Sequence, residues 1–244
     1  MRVMTELGGL SCRVLQEGEE KPKACVVLCH GFGAPGDDLV ALYPELLELE
    51  PRLSGVRFVF PEAPLSLSAF GYPPGSRAWW PIDWEQIQRL SAGDPAALRE
   101  FRRQEPPGMA QARQSVLKLV NELTAQSGLS VGQLVLGGFS QGAMVTNDVT
   151  FRLEEAPRAL VTLSGTLLLE DLWRKKAAAR AGLRVFQSHG RQDPILRYDA
   201  ALLLKALYEE SGLKVDWHDF QGGHGIPLDV LEALARFLLD AVGG

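Results

Sequence analysis

The sequence predicts an α/β fold in which a mostly parallel central sheet is covered by helices on both faces. Short apolar runs rich in Val and Leu alternate with stretches of helical periodicity along the 244 residues. The runs lack a clean two-residue alternation, which is typical of strands buried on both faces. Strands that alternate with helices form parallel sheets. A chain of this length can form one such unit, so we expect residues 1–244 to be a single domain.

Six apolar runs are the predicted strands, and five periodic stretches are the predicted helices. The strands span residues 24–29, 56–60, 133–137, 158–163, 184–188 and 214–218. The helices span residues 39–49, 109–127, 143–153, 198–211 and 229–242. Gly212 follows the fourth helix, where glycine commonly ends a helix in the left-handed conformation.

One long stretch departs from this alternation. Residues 61–108 are dense in Pro, Gly and aromatic side chains, among them Trp79, Trp80 and Trp84. A structureless segment of this length is usually functional or a small insertion. We interpret it as a loop or cap insertion, a lid or groove-lining segment over the carboxyl edge of the sheet. Three tryptophans within six residues argue against a solvated surface excursion.

Composition excludes several function classes. There are 25 Lys and Arg against 30 Asp and Glu, a net charge of −5, and no basic stripe, so we expect no nucleic-acid partner. No run approaches the roughly 18–20 apolar residues of a membrane span, so we expect no integral membrane association. No set of His, Cys and Asp has metal-ligand spacing, so we expect no metal. The three cysteines are odd in number and lie partly in an apolar run, which favours a reducing, cytoplasmic location. No phosphate loop or dinucleotide fingerprint occurs, and we expect no cofactor.

The strongest chemical motif is Gly138-Phe139-Ser140-Gln141-Gly142. It directly follows a predicted strand and precedes a predicted helix. A nucleophile on a tight turn between strand and helix needs small residues two positions before and after it, because the backbones pack closely. The turn would expose the Ser140 hydroxyl and place backbone N–H groups at the start of a helix.

A second motif, His30-Gly31-Phe32-Gly33, follows the first buried strand. Acyl transfer requires two N–H donors directed at the developing oxyanion. The N–H groups of Phe32 and Gln141 are the predicted pair. The alternative is a simple glycine turn that ends the strand.

Two further motifs supply a carboxylate and a base. Asp193 lies in His189-Gly-Arg-Gln-Asp-Pro after the fifth predicted strand, and His224 lies in Gly-Gly-His-Gly after the sixth. The chain order Ser140, Asp193, His224 is that of the α/β-hydrolase triad. The other histidines, His30, His189 and His218, are interpreted as structural.

These motifs resemble the phospholipase/carboxylesterase family, which includes bacterial carboxylesterases and acyl-protein thioesterases. The similarity covers nearly the whole chain and rests on LCHGFG at 28–33, GGFSQGAMV at 137–145, TLSG at 162–165, HGRQDPIL at 189–196 and GGHGIP at 222–227. The resemblance implies an α/β-hydrolase fold. It also implies Ser140, Asp193 and His224 as the catalytic triad, with Phe32 and Gln141 as oxyanion donors.

The resemblance extends to the predicted substrate groove. SRAWWPID at 76–83 is similar to the family segment that lines the acyl groove, which implies Trp79 and Trp80 as substrate-binding residues, Trp80 being favoured. The alternative is that both tryptophans only pack the insertion onto the domain. Two departures bear on substrate range: Phe32 stands where the family usually has Leu, and residues 84–107 look longer than in compact members.

The predicted function is a serine carboxylesterase that hydrolyses short- to medium-chain esters through an acyl-enzyme. An acyl-protein thioesterase or a lysophospholipase-type hydrolase would use the same triad and stays open. A non-catalytic binding module on the same fold is disfavoured, because such modules commonly lose a triad member and this chain retains all three. The expected partner is a small-molecule ester or thioester, and a homodimer is an open alternative for the assembly.

Overall fold

The centre of the molecule is an eight-stranded sheet. We describe it from a computed structural model covering residues 2–18 and 21–243. The strands, in chain order, are β1 Arg2–Leu7, β2 Leu10–Leu15, β3 Cys25–Cys29, β4 Arg57–Pro61, β5 Leu65–Ser66, β6 Arg77–Ala78, β7 Leu134–Phe139, β8 Ala159–Leu163, β9 Arg184–Gly190 and β10 Lys214–Phe220. The sheet order is β1-β2-β4-β3-β7-β8-β9-β10, and β5 and β6 pair separately. Neighbours from β4 to β10 are parallel, whereas β1–β2 and β2–β4 are antiparallel.

Helices cover both faces of the sheet. They are α1 Leu42–Leu49, α2 Trp84–Ser91, α3 Pro95–Phe101, α4 Met109–Ser127, α5 Gln141–Arg152, α6 Glu170–Ala177, α7 Tyr198–Glu210 and α8 Leu228–Val242. Alternate side chains of β3 enter two separate apolar cores. One core includes residues of α1 and α8, and the other includes residues of α4 to α7. The predicted α/β architecture is confirmed.

The N-terminal hairpin of β1 and β2 is absent from the predicted strands. Its two-residue turn consists of Gly8 and Gly9, with φ values of 62° and 75°. Both angles lie in the left-handed region that favours glycine, and a Gly-Gly pair is a known hairpin signal. A Cβ at Gly8 would lie 2.3 Å from the backbone oxygen of Ser115, so α4 packs directly on this turn.

The segment 61–108 is more ordered than a loop. It contains the hairpin β5–β6 and the helices α2 and α3. The side chains of Asp83 and Asp94 cap these helices by accepting hydrogen bonds from the backbone N–H groups of Gln86 and Ala96. The segment is bonded to the body of the protein: the Ser91 hydroxyl donates to the backbone oxygen of Pro194 at 3.0 Å. These contacts place it over the carboxyl edge of the sheet.

None of the helices in the described part of the chain is long and apolar enough to cross a bilayer. Within residues 2–18 and 21–243, no group of three or more His, Cys, Asp or Glu side chains is arranged to hold a metal ion. The three cysteines are free and buried. Burial raises the pKa of the Cys25 thiol to about 11, which keeps it protonated and unreactive near neutral pH.

Candidate active site

Ser140 lies on a strained turn between β7 and α5. Its φ and ψ are 55° and −119°, a conformation that non-glycine residues rarely adopt. The turn is held by a hydrogen bond from the Ser140 N–H to the oxygen of Leu163, at the end of β8. The flanking glycines have no space for a side chain: a Cβ at Gly138 or Gly142 would lie 2.5 Å or 2.0 Å from the backbone oxygen of Cys29. The turn therefore requires the small residues found in the motif.

Asp193 and His224 meet at the neighbouring strand ends. Asp193 follows β9, His224 follows β10, and the two are joined by a 2.6 Å hydrogen bond between Oδ2 and Nδ1. The other oxygen, Oδ1, accepts the backbone N–H groups of Ile195 and Leu196 at 2.8 and 2.9 Å. The carboxylate is thus oriented by the backbone, and its Oδ2 is presented to the imidazole.

A second imidazole contacts the same carboxylate. His189, which is fully buried, has its Nε2 3.3 Å from Asp193 Oδ2 and 2.7 Å from the backbone oxygen of Leu196. Burial opposes ionisation of Asp193, but the hydrogen bonds from His189 and His224 outweigh it and hold the pKa of the carboxyl well below its usual range. Asp193 is therefore a carboxylate at neutral pH, able to fix the Nδ1–H tautomer of His224.

The His224 ring lies beside the nucleophile turn. Its centroid is 4.8 Å from that of Phe139, the residue before Ser140. Among the described residues, no hydrogen bond joins the Ser140 hydroxyl to His224. Catalytic hydrogen bonds in free enzymes are often long and tighten in the substrate complex.

The predicted oxyanion donors lie at the ends of adjacent strands, β3 and β7. His30 orders the first loop: its Nδ1 donates to the Gly31 oxygen at 2.8 Å, and its Nε2 accepts the Ala63 N–H at 3.0 Å. Burial lowers the pKa of His30, so this side chain is a neutral structural group. Within the described residues, neither the Phe32 N–H nor the Gln141 N–H donates to another group. Both remain available to a ligand oxygen.

A cavity of about 270 Å³ opens beside Ser140. Its lining is mostly apolar, and it comprises Trp80, Pro81, Ile82, Asp83, Trp84, Gln86, Ile87, Phe101, Gln104, Pro106, Pro107, Ser140, Gln141, Met144, Ile195 and Leu196. Most of this wall comes from the 61–108 segment. Trp80 thus lies where the resemblance places a substrate-binding residue.

Two of the other predicted binding residues lie elsewhere. Trp79 is 2% exposed, belongs to the core and lines no described cavity, contrary to the expectation that it contacts substrate. The Phe32 ring lines a neighbouring cavity, where it makes edge contacts with Tyr72 and Trp84 at centroid distances of 5.5 and 5.7 Å. Sequence reasoning also missed the Gln141 side chain, which hydrogen-bonds the backbone on either side of the Trp79–Trp80 peptide link.

Known proteins resemble this chain over most of its length. The family described as Phospholipase/Carboxylesterase matches residues 10–241. Acyl-protein thioesterase 1 of Kluyveromyces lactis is 30% identical over 230 residues, 90% of this chain and 92% of that protein. Its counterpart in Yarrowia lipolytica is 26% identical over 202 residues, 82% of this chain and 83% of that protein. The crystal structure of esterase PE8 superposes with a TM-score of 0.76 at 28% identity, covering 95% of this chain and 99% of that one.

Proposed function

Because the chain belongs to the phospholipase/carboxylesterase family of serine hydrolases, we propose that it hydrolyses short- to medium-chain carboxylic esters through an acyl-enzyme on Ser140. The observation that carries the proposal is the 2.6 Å bond between Asp193 and His224, whose ring centroid is 4.8 Å from that of Phe139, the residue before Ser140. It joins an ionised carboxylate to an imidazole beside a strained serine, which is the arrangement needed to activate a hydroxyl.

In the proposed mechanism, the Ser140 Oγ attacks the ester carbonyl while His224 Nε2 takes its proton. The carbonyl oxygen becomes an oxyanion, stabilised by the N–H groups of Phe32 and Gln141. The tetrahedral intermediate collapses, and His224 gives the proton to the departing alcohol. Water then attacks the acyl-enzyme with His224 again as the base, which releases the acid and restores Ser140. Asp193 stabilises the imidazolium in both halves.

The dimensions of the cavity favour short to medium acyl chains. At about 270 Å³ it is near the lower end of ordinary ligand pockets, which span about 300–1,000 Å³. Trp80, Phe101 and Met144 supply an apolar wall, and each methylene buried there is worth about 0.8 kcal/mol. The same lining includes Gln86 and Gln104, whose amides are 2.6 Å apart. A chain long enough to reach this amide pair would have to desolvate polar groups.

A second candidate is an acyl-protein thioesterase, and the curated relatives favour it because they carry that name. The same groups would attack a thioester carbonyl, with a thiol as the leaving group. A lysophospholipase-type substrate would use them as well. These alternatives differ in leaving group and acyl length, which kinetics can separate.

The test is a panel of p-nitrophenyl esters and acyl thioesters of matched, graded chain length, together with labelling by a fluorophosphonate probe. We expect Ser140→Ala to lose label and on the order of 10⁴-fold or more in kcat. Ser188→Ala is the control, because Ser188 is also a buried serine of the central sheet, within β9, but its hydroxyl has no role in the proposed mechanism.

Turnover by Ser140→Ala at the wild-type rate would refute the proposed nucleophile. A wild-type protein that turns over neither substrate series and resists the probe would refute the function as a whole. A kcat/KM that is higher for the thioester than for the ester at every chain length would select the second candidate.

A further inference from the structure

A short stretch of chain, residues 77–80, connects the two halves of the oxyanion site, and we name it the bridging segment. On one side it pairs with the loop that carries Phe32. The Gly33 N–H donates to the Arg77 oxygen at 2.8 Å, and the Arg77 N–H donates to the Ala34 oxygen at 3.1 Å. The indole Nε1 of Trp79 adds a third bond, to the backbone oxygen of His30 at 2.8 Å. The loop is thus bonded to the bridging segment on both sides of Phe32.

On its other side the bridging segment is hydrogen-bonded to the Gln141 side chain, next to the nucleophile. Gln141 Oε1 accepts the Trp79 N–H at 2.8 Å, and Gln141 Nε2 donates to the Trp80 oxygen at 2.9 Å. Gln141 is 3% exposed, so water does not compete for these buried bonds. The backbone N–H of the same residue is the second oxyanion donor. Trp79 therefore joins the loop of one donor to the residue that bears the other.

The geometry of an oxyanion site is demanding. Donors are effective at about 2.7–3.1 Å from the developing charge, and loss of one donor lowers kcat by about 10²–10³-fold. Phe32 and Gln141 follow β3 and β7, two strands that are neighbours in the sheet but far apart in the chain. The pairing of β3 with β7 sets the positions of the two strand ends, and a contact that spans both loops adds to this beyond the strand ends. The bridging segment supplies that contact with directional hydrogen bonds.

We propose that the Trp79 indole and the Gln141 side chain are positioning residues, which set the distance between the Phe32 and Gln141 N–H donors. This inference rests on the proposed function, since it assigns a role within the same reaction. It replaces the expected role of Trp79 as a wall of the acyl groove. Trp80, the next residue, forms that wall, so adjacent tryptophans serve different parts of the site.

Another buried tryptophan supplies a matched control. Trp173, in α6, is fully buried, and its indole Nε1 donates to Asp148 at 3.0 Å. Asp148 also binds Arg113 and Arg152, in a cluster that lines none of the described cavities. Trp173→Phe and Trp79→Phe each remove one buried indole N–H and a similar volume. Only Trp79→Phe removes a bond to the oxyanion loop.

The experiment measures kcat, KM and melting temperature for wild type, Trp79→Phe, Gln141→Met and Trp173→Phe with p-nitrophenyl butyrate. Both site variants should lose about 10–100-fold in kcat, less than full removal of a donor, with KM little changed. Inhibition by a trifluoromethyl ketone, whose serine adduct carries an oxyanion, should weaken by a similar factor. Trp173→Phe should have a lower melting temperature than wild type. Its kcat and its inhibition by the trifluoromethyl ketone should equal those of wild type.

Several results would overturn the inference. One is a folded Trp79→Phe and a folded Gln141→Met that both keep the wild-type kcat. Another is a change confined to KM and acyl-length preference. That result would mean that the bridging segment only lines the acyl groove. A fall in kcat of the same size in Trp173→Phe would mean that the loss in Trp79→Phe comes from general destabilisation of the protein. If the wild type hydrolyses neither esters nor thioesters, the proposed function fails first, and the inference fails with it.

Discussion

Replacement of Asp193 by Asn tests the candidate triad through the tautomer of one imidazole. Asp193 Oδ1 accepts two backbone N–H groups, at 2.8 and 2.9 Å, so the amide oxygen of the variant must occupy that position. Its NH₂ group then faces His224 Nδ1, which is 2.6 Å from Oδ2 in the wild type. Nδ1 would have to accept this hydrogen bond, and the ring proton would move to Nε2. A ring protonated at Nε2 cannot take the proton of Ser140.

The expected fall in kcat follows from the loss of His224 as a base. In serine proteases the corresponding Asp-to-Asn change lowers kcat about 10⁴-fold, which is about 5.4 kcal/mol at 1.36 kcal/mol per factor of ten. We expect a loss of that order here. The variant also turns an N–H group toward His189 Nε2, which is 3.3 Å from Oδ2 and bonds the Leu196 oxygen as a donor. Loss of a buried acceptor costs about 1–3 kcal/mol of stability.

The assay is the kcat for p-nitrophenyl butyrate, with unfolding by urea followed in parallel. Asp216→Asn is the matched control, because Asp216 also pairs with an imidazole, His218 Nε2 at 2.8 Å, but in an exposed position on β10. The control should keep wild-type kcat. A stable Asp193→Asn protein that retained more than about a tenth of the wild-type kcat would refute the tautomer argument.

Three further outcomes follow from the same structure. The lowered pKa of Asp193 means that its carboxylate stabilises the fold above the unfolded pKa of about 3.9, and that this stability is lost as pH falls through the lower folded pKa. Urea titrations below about pH 4 should therefore show a steeper fall in the free energy of unfolding for wild type than for Asp193→Asn, and equal slopes would contradict the assignment. Activity should survive EDTA, since each step uses a side chain or a backbone N–H; loss that a divalent ion reverses would reveal a metal requirement. Trp80→Ala should shift the kcat/KM profile toward longer acyl chains, and Phe32→Leu should shift it less because Phe32 lines the neighbouring cavity; the reverse order would contradict this placement.

The predicted strands and the candidate site share a physical basis. The central strands β3 and β7 appear in the sequence as short apolar runs, and Phe32 and Ser140 follow them; Asp193 and His224 follow β9 and β10 in the same way. Parallel neighbours bring these carboxyl ends to one edge. That is why Asp193 and His224, which lie on separate loops, could be expected to meet.

Features that depend on side-chain orientation could not be predicted in the same way. Sequence position does not distinguish Trp79 from Trp80, yet both side chains belong to the core and, of the two, only Trp80 also lines the cavity beside Ser140. The sequence does not predict the helices α2 and α3, because the many Pro, Gly and aromatic residues around them interrupt the helical periodicity. The cap signal of Asp94 followed by Pro95 was nevertheless present, since proline favours the first helical position. The N-terminal hairpin had a similar signal in Gly8 and Gly9, but Val3 and Met4 both remain exposed, so β1 lacks the apolar run of a buried strand.

The order of the strands in the chain has a consequence for biosynthesis. Ser140 and Gln141 are translated about a third of the chain before His224, and Phe32 is translated earlier still. At about 5–20 residues per second, a ribosome needs several seconds more to add the base. His224 also follows β10, which lies at the edge of the sheet formed by the described residues and pairs there with β9. A nascent or proteolytically shortened chain that ends between these residues would carry the proposed nucleophile without its proposed base, so the proposed hydrolysis at Ser140 would require the last third of the chain to be present and folded.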